Sequence, residues 1–209
     1  MPFCDLTLRT PKPLDRAYPT ELQTIGDHVR KRRLDLGLTQ QEVALMMGVN
    51  KTTIFNWEAG RVAPDLHALP EVLKFLGYDP RPQADTFPER IRQLRQGLGL
   101  SLEELAAKIG VDPSTIQKWE RLGFRPRPRL FARLAKILSI PEPPEGAPLG
   151  DRLRARRLAL GLTQAEAEAQ IGVSQDTLSR WELGRIQPQG EKIRQTRSVL
   201  GIETSAAEP

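Results

Sequence analysis

The chain has 209 residues, with 39% hydrophobic, 27% charged and 5% aromatic residues and a formal charge of +5. A single cysteine, Cys4, excludes an internal disulfide framework and a cysteine-rich zinc site, and two histidines, His28 and His67, leave too little for a histidine metal cluster or an acid–base pair. No apolar run approaches the roughly 20 residues that span a bilayer, and MPFCDLTLRT lacks the apolar centre of a secretory signal, so an intracellular, cytoplasmic protein is expected. The basic balance raises nucleic acid as a partner without establishing it.

Residues 1–24 hold four prolines and no helical period, and read as an arm. Beyond it the chain repeats with a step of 62 residues. Trp57, Trp119 and Trp181 keep that step, each followed by a glutamate, and so do Gly37/Gly99/Gly161, Gly48/Gly110/Gly172, Arg33/Arg95/Arg157 and Pro64/Pro126/Pro188. Three copies of one unit are therefore expected, at 25–80, 87–140 and 149–202, followed by a tail, 203–209. The segments Asp79-Pro80-Arg81-Pro82 and Pro141-Glu142-Pro143-Pro144 cannot continue a helix and read as stiff, extended spacers.

Each unit reads as helical throughout, which predicts an all-α fold class. The first helix of repeat one carries Val29, Leu34 and Leu36 among four basic residues and stops at Gly37. The second opens on a capping box, Thr39/Glu42, Ser101/Glu104 or Thr163/Glu166, and ends at Gly48, Gly110 or Gly172. A new cap, Asn50, Asp112 or Ser174, opens a short third helix running to Trp-Glu. A proline-bearing loop precedes a last amphipathic helix, such as that with Leu69, Val72, Leu73 and Leu76. Two short helices joined through glycine are the sequence form of a helix-turn-helix. The buried tryptophan is expected to supply much of the core of so small a unit.

The stretch LGLTQQEVALMMGVNKTTIFNWEAGRVAP, with its counterparts LGLSLEELAAKIGVDPSTIQKWERLGFRP and LGLTQAEAEAQIGVSQDTLSRWELGRIQP, resembles the lambda-repressor/Cro-like, XRE-type helix-turn-helix family. The resemblance implies three compact bundles of about five helices, each with its third helix in the DNA major groove and its second across the backbone. Ile54 and Trp57, three apart, face the core by phase, which leaves Lys51, Thr52, Phe55 and Asn56 outward.

The resemblance implies base contacts near the start of the third helix and one turn on: Lys51, Thr52 and Asn56 in repeat one, Ser114 and Lys118 in repeat two beside Pro113, and Gln175, Asp176 and Arg180 in repeat three. It implies phosphate contacts from Gln40 and Gln164, with Arg61 and Arg185 after the third helix. It also implies a partly buried ion pair in each unit, Arg33–Glu58, Arg95–Glu120 and Arg157–Glu182. Repeat two departs from the pattern with Leu102 for the glutamine and Leu122-Gly123 for Gly60-Arg61. Yet it is the most basic unit, at net +6 against 0 and +3, with charge concentrated at Arg125, Arg127 and Arg129. These two facts point either to a backbone or minor-groove clamp or to a degenerate copy kept for spacing. Repeat three departs at Glu168, where Ala44 and Ala106 stand in the others.

A sequence-specific transcriptional regulator of double-stranded DNA is expected, with no catalytic residues, metal, cofactor or small-molecule effector. It is expected to be a monomer covering roughly 25–35 base pairs, dimerisation on DNA being left open, and to associate with the nucleoid. The competing reading is an antitoxin-like or mobile-element accessory protein acting through protein contacts. The arm cations Arg9, Lys12 and Arg16 are more expected to pack or stay loose than to track the duplex.

Overall fold

The computed structural model describes residues 18–144 and 146–201. Cys4, Arg9, Lys12, Arg16 and the tail from 203 lie outside the described residues. Twelve α-helices and no strand are found among them: α1 (Ile25–Asp35), α2 (Gln40–Met47), α3 (Lys51–Glu58), α4 (Leu69–Leu76), α5 (Phe87–Gly97), α6 (Leu102–Ile109), α7 (Pro113–Arg121), α8 (Pro128–Leu138), α9 (Leu149–Ala159), α10 (Gln164–Ile171), α11 (Gln175–Glu182) and α12 (Glu191–Leu200). Each repeat thus has four described α-helices, not five. The proline loops at 64, 126 and 188 lead directly into α4, α8 and α12 without an intervening α-helix.

The three capping boxes close as expected, and Thr24–Asp27 and Thr86–Glu89 add two more at α1 and α5. Gly48, Gly110 and Gly172 end the second helices with φ of 66°, 81° and 73°, a left-handed conformation that any side chain would strain. Two details differ from the sequence expectation. Asn50 stands at the cap position of α3 with extended backbone but makes no side-chain cap bond, whereas Asp112 and Ser174 do. Leu36 caps α1 and is about half exposed, because the helix ends there and its side chain leaves the core stripe.

The three cores are built from the same positions with different side chains. Val29, Ile91 and Leu153 occupy one, and Val43, Leu105 and Ala167 the next. Met47, Ile109 and Ile171 follow, then Ile54, Ile116 and Leu178, and then the tryptophans. Among the described residues repeat three has the smallest set: Ala167 replaces Val43 or Leu105, and buried Thr196 replaces Val72 or Leu134, its hydroxyl donating to the Lys192 carbonyl at 2.7 Å. Glu168 is only half-buried, so its carboxylate reaches water rather than the helix contact that Ala44 and Ala106 fill.

The three repeats fall into two compact units that divide after residue 82. Repeats two and three share the second because α8 packs along α9. The intervening spacer is not fully extended: the Ala147 N–H donates to the Pro144 carbonyl, and Glu142 pairs with Arg156 at 3.0 Å.

The capping boxes make stability acid-sensitive. Glu42 and Glu166 are held below the ordinary carboxylate range, first by the backbone N–H and then by the hydroxyl of their N-cap threonine, and Glu89 by the same groups of Thr86 with the hydroxyl leading. A carboxylate depressed in the folded state stabilises fully above its unfolded value of about 4.3, and this contribution is lost as pH falls through the folded value. The thermal midpoint is therefore expected to hold steady from neutral pH to about 5 and to decline below about 4.3. A Glu42→Gln/Glu89→Gln/Glu166→Gln variant should start lower and decline less steeply over the same range.

Candidate nucleic-acid interface

The helix pair at the centre of each repeat is fixed from behind by an ion pair, buried in repeats two and three and partly buried in repeat one. Arg33 donates to Glu58 through Nε at 2.6 Å and Nη2 at 2.8 Å, and through Nη1 to the Leu38 carbonyl at 3.1 Å. Arg95 makes the same three bonds to Glu120 and the Leu100 carbonyl, and Arg157 to Glu182 and the Leu162 carbonyl. One guanidinium thus joins the first helix, the turn after it and the end of the third helix, using its planar fork in a bidentate contact. The bond to the turn carbonyl has no signature in the repeat spacing.

A second close contact supports the same junction. A Cβ built on Gly26 would lie 1.8 Å from the Trp57 carbonyl oxygen, and one on Gly150 would lie 2.3 Å from that of Trp181. The first and third helices therefore approach backbone to backbone in repeats one and three. Repeat two carries Pro88 at this position.

On the third helices, Ile54 and Trp57, Ile116 and Trp119, and Leu178 and Trp181 are buried, which turns the opposite face outward. Lys51, Thr52 and Phe55 are exposed on α3 and Asn56 is half-buried. Gln175, Asp176 and Arg180 are exposed on α11, where Arg180 pairs with Asp176 at 2.9 Å, so this arginine must exchange a carboxylate before it meets a base.

On α7, Ser114, Gln117, Lys118 and Arg121 are exposed at i, i+3, i+4 and i+7 and form one polar stripe. Gln117 and Arg121 were not singled out from the sequence, although the phase of Ile116 and Trp119 carries them. α7 is also one residue longer than α3 and α11. Repeats one and three stop at Ala59 and Leu183, turn through left-handed Gly60 and Gly184, and bond the Arg61 and Arg185 N–H to the Asn56 and Arg180 carbonyls. Leu122 occupies the first glycine's place in repeat two, so the helix runs on through Arg121 and the left-handed turn falls to Gly123.

The expected phosphate ligands are placed as follows. The Gln40 and Gln164 side chains sit half-buried at the start of the second helices and donate to Glu58 and Glu182, each at 3.0 Å. Leu102 takes this place in repeat two. There a cleft of about 300 Å³ opens between α5, α6 and α7, lined by Arg92, Leu102, Gln117 and Arg121, and Arg92 donates to the Glu120 carbonyl at 2.8 Å. Arg61 lies over the Phe55 ring at 4.9 Å and Arg125 over Phe87 at 4.6 Å. Arg127 is the N-cap residue of α8, and Arg185 is exposed after α11. Arg129 pairs with Glu166 of repeat three at 3.0 Å while staying 83% exposed. His28 meets the Tyr78 hydroxyl at 2.7 Å, a contact between α1 and the segment after α4.

Charge on the outward helix faces is thus distributed differently from the unit totals. α3 contributes Lys51, α11 an arginine neutralised by its neighbour, and α7 two cations, Lys118 and Arg121, with Glu120 of the same helix buried and Asp112 at its N-cap.

A family model described as helix-turn-helix matches residues 29–82 and 91–143, just over half the chain, and one described as helix-turn-helix domain matches 148–207. The chain belongs to the helix-turn-helix family. The repeats of this helix-turn-helix protein are of the XRE-like kind that the turn sequences suggest. It is also similar to an uncharacterized HTH-type transcriptional regulator of Methanothermobacter thermautotrophicus, with 41% identity over 49 residues, which is 23% of this chain and 71% of the relative. No solved structure matches the helix-turn-helix protein significantly. Among its described residues no group of His, Cys, Asp or Glu is placed to hold a metal ion, and no helix is long and apolar enough to cross a membrane.

Proposed function

We propose that this protein is a non-enzymatic, sequence-specific transcriptional regulator that places α3, α7 and α11 in major grooves of one double-stranded DNA site on the nucleoid. The observation that carries the reading is the polar outward face of all three third helices, opposite a buried Ile/Leu–Trp pair. In this reading Lys51, Thr52 and Asn56, then Ser114, Gln117, Lys118 and Arg121, then Gln175, Asp176 and Arg180 meet base edges. Gln40, Arg61, Gln164, Arg185 and Arg127 meet phosphates, and Arg92 does so beside the cleft of repeat two. Repeat two reads bases rather than only clamping the backbone, because two of its cations, Lys118 and Arg121, lie along the outward stripe of α7, while Arg129 is turned to Glu166. The protein acts as a monomer on an asymmetric site; a dimer by light scattering bound to a palindrome would overturn that.

Selection from a random duplex library at several salt concentrations tests the reading, and a defined motif with a steep salt slope is expected. Lys118→Ala should then relax the motif at one position by about 1–3 kcal/mol. Arg127→Ala should weaken binding uniformly and reduce the salt slope by about 1. Uniform weakening by Lys118→Ala would restore the clamp. One observation favours a protein-contact role: Leu45 and Met46 of α2 are 72% and 62% exposed, where repeats two and three carry Ala107-Lys108 and Ala169-Gln170. An adaptor would show itself as a library with no enriched motif.

A further inference from the structure

We propose that the packing of repeat two on repeat three positions the DNA-binding surface: it holds α7 and α11 at one separation, so the two subsites they read must lie at one spacing. The spacing half of the proposal rests on the DNA reading above; the fixed separation does not.

Two contacts between the repeats carry it, and a third ties the spacer to repeat three. First, the turn after α9 is seated on α8. Gly161 is buried, and a Cβ built there would lie 3.4 Å from the Arg129 Cα and 3.5 Å from the Ala132 Cβ. Its repeat-one counterpart, Gly37, is exposed, and a Cβ there would meet nothing within 4 Å. Gly37, Gly99 and Gly161 all make the left-handed turn of their own repeat, and Gly161 in addition meets α8 of the neighbouring repeat. Second, Arg129 of α8 reaches Glu166 of α10 at 3.0 Å, and Glu166 is also the capping-box residue that fixes the start of α10. Third, Arg156 of α9 joins the spacer to the end of α12: Nη1 donates to Glu142 at 3.0 Å and Nε to the Leu200 carbonyl at 2.7 Å.

The seat requires a small residue at 132. The corresponding positions in repeats one and three hold Pro70 and Arg194. Flexible tethering would let two modules follow a change in subsite spacing. A packed pair cannot, because each added base pair turns the second subsite by about 35° around the duplex axis.

The test uses the full chain. With Cys4→Ser, spin labels at Lys108→Cys and Gln170→Cys report the distance between repeats two and three. A single narrow distribution is expected, and a broad one overturns the proposal. In the selected duplex, inserting five base pairs between the subsites mapped by Lys118→Ala and Arg180→Ala should lower wild-type affinity at least about 30-fold, the loss of simultaneous engagement. Ala132→Glu and Ala132→Arg, of opposite charge and outside the core of repeat two, should both broaden the distribution. Both should also cut the insertion penalty below about 3-fold. A narrow distribution with a tolerated insertion refutes the positioning role while leaving the DNA reading intact. A narrow distribution with no selected motif refutes the DNA reading and the spacing rule that rests on it.

Discussion

Arg157→Ala is expected to destabilise repeat three by about 3–5 kcal/mol, the usual cost of removing one partner of a buried pair. Both side chains are more than nine-tenths buried, and Glu182 accepts two bonds from Arg157 and one from Gln164. Deleting the guanidinium strips two of those three donors from a carboxylate that is 4% exposed, and it also strips the donor from the Leu162 carbonyl. Two described core positions of repeat three carry smaller or polar side chains, Ala167 and Thr196, so the loss should take a large share of its stability. Hydrogen exchange should then show α9 to α12 opening, with α1 to α4 still protected. The double variant Arg157→Met/Glu182→Leu separates the charge from the shape, since replacing both ions by apolar groups of similar volume is often neutral or stabilising. Recovery of most of the loss is expected; a double variant as unstable as Arg157→Ala would show that the turn carbonyl, not the carboxylate, is the costly orphan.

Gly26→Ala is expected to cost repeat one about 3 kcal/mol or more, against the direction that helix propensity predicts. Alanine in a helix is favoured over glycine by about 1 kcal/mol. Here its methyl would overlap the Trp57 carbonyl oxygen at 1.8 Å, and that oxygen belongs to backbone that cannot rotate away. α1 must shift from α3, which lengthens the Arg33–Glu58 bonds at the same junction. Gly150→Ala, at 2.3 Å, should behave alike. Pro88→Ala in repeat two is the control: that position already carries a Cβ, and a change within ±1 kcal/mol is expected. Thermal unfolding of the three variants checks the order, and a stabilised Gly26→Ala would refute the close approach.

The helices and turns were legible because their signals are local and occur three times. A glycine in the left-handed region, a Ser or Thr three residues before Glu, and a Trp-Glu pair at constant spacing each act within one turn of chain. The Arg33–Glu58 pairing needed the family resemblance, because its partners lie 25 residues apart and nothing in that interval marks contact. The outward face of α7 was partly legible, and Arg121 was missed because it lies beyond the Trp-Glu that closes the third helix elsewhere. The seat of Gly161 on Ala132 was not legible: a glycine that ends a helix and an alanine within one say nothing about a neighbour that only folding supplies. Gly26 was silent for the same reason. Asn50 shows the converse, a residue of the right type whose side chain makes no cap bond.

The ion pair recurring at one offset in three tandem copies has a consequence for how the chain reaches its fold. Arg33 would fit Glu120 or Glu182 as well as Glu58, so the electrostatic contact alone does not tell one copy's first helix from another's, and tandem copies of one unit are prone to exchanging elements. The apolar positions make the distinction. Pairing α1 with the second and third helices of repeat two would set Val29 where Ile91 belongs, leaving a void. Pairing α5 with those of repeat three would set Ile91 in the place shaped for Leu153, beside Ala167 rather than Leu105. Each mismatch loses packing that the matched copy keeps. The drift in core side chains, which looks like relaxed selection on a repeated unit, thereby acts as an address that returns each helix to its own bundle.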